Sequence, residues 1–166
     1  MIHCTFEEGN AAELRHVTVA CLVVKDGQTL LTRRNQRLVE GGKWCLPGGY
    51  MDRDETTIET AKREVREETG WEVDSLQLLC INDNPKRPGT DRRDIDFIYF
   101  ANAVTDSGVR DDEVEEQAWF PLTKLPEPAE MAFDHLDHIR LYTNYLREPF
   151  TLPIVCTQDS PSLMSL

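Results

Sequence analysis

The sequence predicts an α/β domain, and three stretches carry that prediction. Val17 to Val24 is apolar and β-branched, and the chain returns after an Asp-Gly pair, which is typical of a β-hairpin. Ile95 to Val104 is rich in Ile, Phe and Tyr and predicts a second long strand. Between them, Glu55 to Thr69 has helical spacing and is followed by Gly70, a residue that commonly ends helices.

Length and charge limit the classes of protein to consider. The 166 residues suit one domain, and a formal net charge of −12 argues against nonspecific binding to nucleic acid or to an anionic membrane. The longest apolar run, Val17 to Val24, is far shorter than the roughly 20 residues of a membrane-spanning helix. No basic-then-apolar signal segment is evident, and the five cysteines form no CxxC pair. We therefore expect free thiols and a cytoplasmic protein.

The chain divides into three parts by pattern. Residues 1–16 predict an arm or a short strand, residues 17–147 the folded domain, and residues 148–166, with their prolines and serines, an irregular tail. Within the domain, Val17 to Val24 is apolar on both faces and should be a central strand. Its partner, Thr29 to Arg34, ends in two arginines that either meet a phosphate or face solvent.

Three later stretches complete the predicted elements. Glu72 to Ile81 is predicted as a strand, and Ala129 to Leu146 has the apolar spacing of a helix. The Asp-His pairs at 134–135 and 137–138 suggest a metal site, but a capped helix face is the favoured interpretation. Trp44 lies beside glycines and is expected to pack in the core rather than stack on a base.

The helix at 55–69 carries an unfavourable charge pattern. Asp54 is its candidate N-cap, and Ile58, Ala61 and Val65 form the stripe expected to face the core. Glu64, Glu67 and Glu68 follow the i, i+3, i+4 spacing beside that stripe. Carboxylates in a last turn oppose the helix dipole by about 0.3–1 kcal/mol each. A solvated charged face is one interpretation, since basic residues alternate with the acids.

A divalent cation would turn this cost into a benefit. Three convergent carboxylates would supply hard oxygen ligands. Such ligands indicate Mg²⁺ or Mn²⁺ rather than Zn²⁺. Mg²⁺ is usually held by a few carboxylates together with the phosphates of a substrate. The second interpretation is therefore a metal site for a phosphorylated ligand.

The span from Gly49 to Trp71 resembles the Nudix box, G-x5-E-x7-R-E-U-x-E-E-x-G-U, where U is a bulky apolar residue. All nine fixed positions are filled, by Gly49, Glu55, Arg63, Glu64, Val65, Glu67, Glu68, Gly70 and Trp71. Two details are less usual. Trp71 is bulkier than the common aliphatic residue, and Arg53-Asp54 stands where many members have Pro-Gly.

The resemblance implies a Nudix-like α/β/α sandwich with a mixed β-sheet and a Mg²⁺-dependent hydrolase of a nucleoside diphosphate linked to another group. It also implies roles for particular residues. The metal ligands would be Glu64, Glu67, Glu68 and the carbonyl of Gly48, with Arg63 orienting a carboxylate and Glu55 and Gly49 in support. One of the metal-binding glutamates, Glu67 for example, or a later Glu would be the catalytic base.

The acidic stretch from Asp111 to Phe120 is expected to be a loop that contributes this base. Many family members have a Glu six residues before a Trp at this point, which here is Glu113, and that Glu often orients or deprotonates the water. Glu116, three residues before Trp119, is the rival.

A basic loop suggests the substrate. Lys86, Arg87, Arg92 and Arg93 form a positive island in an acidic chain, and with Arg34 they are candidate contacts for a phosphate or sugar. A solvated hairpin loop is the alternative. The loop resembles, over a few residues, an Asp-Pro-x-Arg loop in relatives that act on ADP-ribose. This resemblance favours a nucleotide sugar as the small-molecule partner. The competing hypotheses are an ordinary or oxidised nucleoside triphosphate and, in another class, a nucleotide sensor without turnover. A homodimer is possible, as relatives often dimerise.

Overall fold

The computed structural model describes residues 2–87, 93–108 and 113–157. These residues form ten β-strands and two α-helices. In chain order they are β1 (Ile2–Thr5), β2 (Ala11–Leu14), β3 (Val17–Lys25), β4 (Gln28–Arg34), β5 (Trp44–Cys45), β6 (Gly48–Tyr50), α1 (Thr57–Thr69), β7 (Trp71–Asn82), β8 (Ile95–Asp106), β9 (Val114–Pro121), α2 (His135–Arg147) and β10 (Ile154–Cys156). Neither helix has the length and apolar character needed to cross a membrane.

The main sheet is mixed, and β3 lies near its centre as predicted. Its strand order is β10-β7-β8-β3-β4-β5, with β6 paired to β3 and β9 paired to β4. Two strand pairs of this sheet are parallel, β3–β8 and β10–β7. The other pairs are antiparallel: β3–β4, β3–β6, β4–β5, β4–β9 and β7–β8. The β3–β4 turn contains Asp26 and Gly27, both with positive φ (50° and 75°), as a tight hairpin turn requires. Strands β1 and β2 form a separate antiparallel pair.

Each face of β3 is buried under a different helix. Successive side chains of a strand point to opposite faces, so Val19 and Cys21 pack with Ala61 and Val65 of α1. On the other face, Ala20 and Leu22 pack in a cluster with Leu136 and Ile139 of α2, and Trp44 is buried in the same cluster, as expected. The architecture is the α/β/α sandwich that the sequence predicts.

Helix α1 starts later than predicted. Thr56 is the N-cap, and it exchanges hydrogen bonds with Glu59 in a capping box that satisfies two backbone N–H groups at once. Asp54 therefore has no capping role. Ile58 falls in the first turn and is 44% exposed, while Ala61 and Val65 are buried as predicted. Gly70 ends the helix in the left-handed conformation.

The segment before α2 and the tail also differ from the prediction. Phe133 has φ of 54°, which a right-handed helix cannot contain, so α2 begins at His135 and not at Ala129. Part of the tail is regular, because β10 adds a parallel strand beside β7. Ile154 pairs with Cys80 there, which fixes the end of the described chain to the sheet.

Candidate active site

A cleft of about 430 Å³ opens where β3, β6, α1 and the segment before α2 meet. Its walls combine a carboxylate-rich side and a mixed polar side. The lining residues that matter below are Thr18, Arg34, Gly48, Gly49, Arg63, Glu64, Glu67, Glu68, Arg87, Asp94, Asp96, Glu113, Phe133 and His135. The three helix glutamates predicted from their spacing therefore share one cavity.

Two glycines of β6 allow α1 to approach the sheet closely. The Gly48 N–H donates to Glu68 Oε2 at 3.2 Å, and a Cβ on Gly48 would lie 2.1 Å from the carbonyl oxygen of Val19. A Cβ on Gly49 would lie 2.5 Å from Glu64 Oε1. A side chain at Gly49 would displace Glu64, whereas one at Gly48 would collide with the backbone of β3 and push β6 away from it. The two glycines therefore allow the close packing that sets where the acids lie.

Arg63 joins the carboxylates into one network. Its Nε and Nη2 donate to the two oxygens of Glu55 at 2.6 and 2.9 Å, a bidentate pair. Its Nη1 donates to Glu64 at 2.8 Å and to Glu67 at 3.1 Å, and Nη2 also reaches the Tyr50 carbonyl at 3.0 Å. The hydrogen bonds from Arg63 lower the pKa of Glu55 to about 2. The arrangement holds Arg63 against Glu55, Glu64 and Glu67, and its role in orienting a metal ligand stays a prediction.

The donor set fits a hard divalent cation. Burial raises the pKa of Glu64, although Arg63 opposes this, so the carboxylate is held in a partly desolvated position where a nearby positive charge would stabilise its ionised form. Glu67 is more exposed, and Glu68 is buried beside the Gly48 N–H. Among the residues that the structure describes, no three His, Cys, Asp or Glu side chains lie close enough together to hold a metal ion as they stand. The observed partner of Glu64 and Glu67 is Arg63.

The two candidate bases differ in position. Glu113 lies at the edge of the cleft, just before β9, and its backbone carbonyl accepts a hydrogen bond from Asn35 N–H at 3.0 Å. Glu116 lies within β9, where it pairs with Arg33 at 3.4 Å and its side chain is 54% exposed. The residues from Val114 onward form a strand, not the predicted acidic loop. The cleft position favours Glu113.

The basic residues predicted to bind substrate divide into three groups. Arg34 lines the cleft, where its guanidinium lies over the Phe133 ring at 5.2 Å. Arg87 also borders the cleft, but its side chain is only 5% exposed and is held by Asp96 and Asp134. Its charge is already compensated by these two aspartates, which favours a structural role, and its contact with a phosphate stays a prediction. Lys86 and Arg93 are exposed outside the cleft, and Arg92 lies outside the described residues.

Comparison with known proteins identifies the family. The family model of the NUDIX domain matches residues 14–142. The chain belongs to the NUDIX family.

Two curated NUDIX relatives that match most of this chain carry different names. The chain is 30% identical over 150 residues to the human 8-oxo-dGDP phosphatase NUDT18, covering 88% of this chain and 44% of that protein. It is 30% identical over 129 residues to an ADP-ribose pyrophosphatase of Methanocaldococcus jannaschii, covering 78% of this chain and 73% of that protein. The chain thus spans less than half of the human relative.

Solved NUDIX structures share the fold. A MutT NUDIX hydrolase from Burkholderia pseudomallei superposes with a TM-score of 0.66 at 29% identity, over 77% of this chain and 98% of that one. The NUDIX domain of Shewanella oneidensis NrtR, determined in complex with ADP-ribose, has a TM-score of 0.64 at 26% identity, over 81% and 90% of the two chains.

Sequence reasoning missed a buried polar group on the α2 side of this NUDIX cleft. Asp134 does not cap α2 with its side chain; it receives hydrogen bonds from Arg87 and Asn82. Burial opposes ionisation of Asp134, but the neighbouring His138 and Arg87 hold its pKa below the ordinary value. The Asp-His pair was noticed in the sequence, yet its partner Arg87 is 47 residues away and no local spacing reveals it.

His135 should make stability depend on pH. Burial, aided by the nearby His138, lowers its pKa to about 3, whereas an imidazole in the unfolded chain has a pKa of about 6.5. Between these values the unfolded chain binds a proton that the folded chain does not, so stability falls as the pH is lowered. We expect a slope near 1.4 kcal/mol per pH unit from this residue. Urea unfolding at several pH values should show a shallower slope in His135→Gln than in the native chain.

Glu55 is expected to act through Arg63. In Glu55→Gln the bidentate pair is lost and Arg63 is free to shift towards Glu64 and Glu67, so we expect the rate of hydrolysis to fall by about 10- to 100-fold. Steady-state kinetics over a range of Mg²⁺ concentrations measures this. Glu72→Gln, an exposed carboxylate of β7, is the control and should leave the rate unchanged. Equal rates in both variants would remove Glu55 from the network.

Proposed function

We propose that this chain is a Mg²⁺-dependent hydrolase that cleaves the diphosphate bond of a nucleoside diphosphate linked to another moiety, with ADP-ribose or a similar nucleotide sugar as the leading substrate. The observation that carries the proposal is that Glu64, Glu67 and Glu68 all line one cleft. Such a set of carboxylates is unfavourable without a cation and suits one that also binds phosphate.

The side chains have distinct roles in this proposal. Glu64, Glu67 and Glu68, with the Gly48 carbonyl, would hold Mg²⁺, and Mn²⁺ offers the same hard-ion chemistry. When bound, such an ion neutralises charge on the diphosphate oxygens and makes a bound water more acidic. Arg63 keeps Glu64 and Glu67 oriented through its hydrogen bonds. Arg34, at the cleft wall, is placed to contact a phosphate.

The attacking water needs an acceptor for its proton. Glu113 is the leading candidate because it lies at the edge of the cleft on a segment distinct from α1, where it need not bind metal. Glu67 is the second candidate. It is more exposed than Glu64 and Glu68, so it is the one of the three best placed to exchange between a cation and a water.

Two substrate classes have support from the comparisons. The archaeal relative named ADP-ribose pyrophosphatase and the Shewanella domain bound to ADP-ribose support a nucleotide sugar. The human relative named 8-oxo-dGDP phosphatase supports an oxidised purine nucleotide as the second candidate. An oxidised or ordinary nucleoside triphosphate, cleaved to monophosphate and pyrophosphate, is a further candidate.

Product analysis separates these classes. We expect phosphorus NMR to show AMP and ribose 5-phosphate from ADP-ribose in the presence of Mg²⁺. Release of inorganic phosphate from 8-oxo-dGDP, with ADP-ribose left intact, would instead favour the second candidate. Release of pyrophosphate from a triphosphate would reject the sugar hypothesis. Binding without any turnover across all substrates would favour a nucleotide sensor.

Two further features belong to the proposal. We place the protein in the cytoplasm, where free thiols such as the buried Cys21, Cys45 and Cys80 persist in reduced form. A homodimer is proposed from the frequency of dimers among relatives. Sedimentation of the purified chain measures that state directly.

A further inference from the structure

The wall of the cleft beside α2 contains an acceptor atom that the protein itself leaves unused. Asp94 is 7% exposed and lines the cavity, and its Oδ1 is buried without a hydrogen-bond partner among the residues that the structure describes. Leaving a buried carboxylate oxygen unpaired costs about 1–3 kcal/mol or more. A group that supplies an N–H or O–H donor at this point would recover that cost.

In the neighbouring Asp96, by contrast, both carboxylate oxygens have hydrogen-bond partners within the protein. Its Oδ1 accepts from the Thr18 hydroxyl at 3.0 Å, and its Oδ2 accepts from Arg87 at 3.3 Å. Arg87 is in turn fixed by Asp134. The protein therefore matches Asp96 and Arg87 with internal partners. Of the described residues that line the cleft, only Asp94 has a buried side-chain polar atom without one.

Sheet register places this wall away from the proposed metal end. Asp96 on β8 pairs with Thr18 on β3, and Thr18 pairs on its other side with Tyr50 of β6, the strand that carries Gly48 and Gly49. Two strand spacings separate β8 from β6, which is about 10 Å. That separation leaves room for the nucleoside of a substrate whose diphosphate lies at the glutamates.

The neutral imidazole of His135 lines the same cavity. His135 Nδ1 accepts the Leu46 backbone N–H at 3.0 Å, so the proton of the neutral ring is on Nε2. Phe133 contributes a ring beside it, at 5.4 Å between centroids, and Arg34 lies over that ring. An aromatic surface, an uncharged donor and an acceptor are the groups that hold a nucleoside.

Charge also sets the direction in which a nucleotide would bind. The Arg87 charge is already compensated by Asp96 and Asp134, so Asp94 adds negative charge around Arg87 and disfavours a phosphate at that point. The phosphates are left to the metal end and to Arg34, which lies over the Phe133 ring.

We infer that Asp94 determines substrate specificity: its Oδ1 accepts a hydrogen bond from a hydroxyl or amino group of the nucleoside. The inference rests on the proposed function of the same cleft. A ribose hydroxyl and a base amino group present the same donor chemistry, and substrate analogues distinguish them.

The variant test compares binding with turnover. In Asp94→Ala, KM for the accepted nucleotide should rise by about tenfold or more with kcat within about twofold, because a hydrogen bond to a charged acceptor is lost outside the reacting bond. Asp74→Ala, an exposed aspartate of β7, is the matched control and should leave both constants unchanged. Unchanged KM in Asp94→Ala would overturn the inference.

Substrate analogues identify which group of the nucleoside donates the hydrogen bond. The first comparison needs only the native protein. The native protein should bind one of the 2′-deoxy, 3′-deoxy or inosine forms of the substrate about tenfold more weakly than the parent, and that difference should vanish in Asp94→Ala. Equal affinity of the native protein for all of them would overturn the inference. In that case Mg²⁺-dependent hydrolysis that is lost in Glu67→Gln would leave the proposed function standing, whereas hydrolysis that persists in Glu67→Gln would remove the function itself.

Discussion

The Glu67→Gln variant is expected to lose at least about 10²-fold in the rate of hydrolysis while remaining folded. The change keeps the shape of the side chain but removes the negative charge that a cation or a water proton needs. Glu67 is partly exposed on α1 and forms no part of the apolar core, so its replacement costs little packing. Steady-state kinetics and thermal unfolding of the same samples measure the two effects separately.

A matched variant tests whether the loss of activity depends on the position of Glu67 in the cleft or only on the loss of one negative charge. Glu116→Gln removes one carboxylate from β9, outside the cleft, and should retain the native rate. It also removes the rival base. A loss of activity in Glu116→Gln comparable to that in Glu67→Gln would contradict the assignment of Glu113 and the account of the cleft.

The second large effect is expected on stability. Arg87→Met leaves Asp96 and Asp134 as neighbouring buried carboxylates without their cation, and breaking a buried ion pair in this way costs about 3–5 kcal/mol. Burial raises the pKa of Asp96 even with Arg87 present, so without it Asp96 should take up a proton more readily. Urea unfolding measures the loss of free energy.

The adjacent Lys86 provides the control for this variant. Lys86→Met changes an exposed side chain of the same loop and should shift the free energy of unfolding by less than about 0.5 kcal/mol. If Arg87→Met were as stable as the native protein but bound substrate far more weakly, Arg87 would be a phosphate ligand and its structural role would be wrong.

Local pattern was sufficient for much of the fold. The Asp-Gly turn predicts the hairpin of β3 and β4, because few residues accept two successive positive φ angles. The apolar character of β3 on both faces predicts its central place. The spacing of Glu64, Glu67 and Glu68 predicts that they share one side of α1, and the structure brings all three to one cleft.

Features set by distant partners could not be predicted in this way. Arg87 belongs to a basic loop by composition, yet its surroundings are fixed by Asp96 on β8 and Asp134 before α2. The start of α1 was misplaced because both Asp54 and Thr56 are good caps, and only the reciprocal bond with Glu59 decides between them. The pairing of β10 with β7 depends on tertiary contact with the sheet edge and has no local signal.

Binding of Mn²⁺, followed by electron paramagnetic resonance in the presence of a nonhydrolysable ADP-ribose analogue, tests the central claim most directly. The native chain should remove the signal of free Mn²⁺ in a saturable manner, and Glu64→Gln and Glu68→Gln should each leave most of that signal in place. Identical Mn²⁺ binding by the native chain and both variants would contradict a metal site built from the carboxylates of α1.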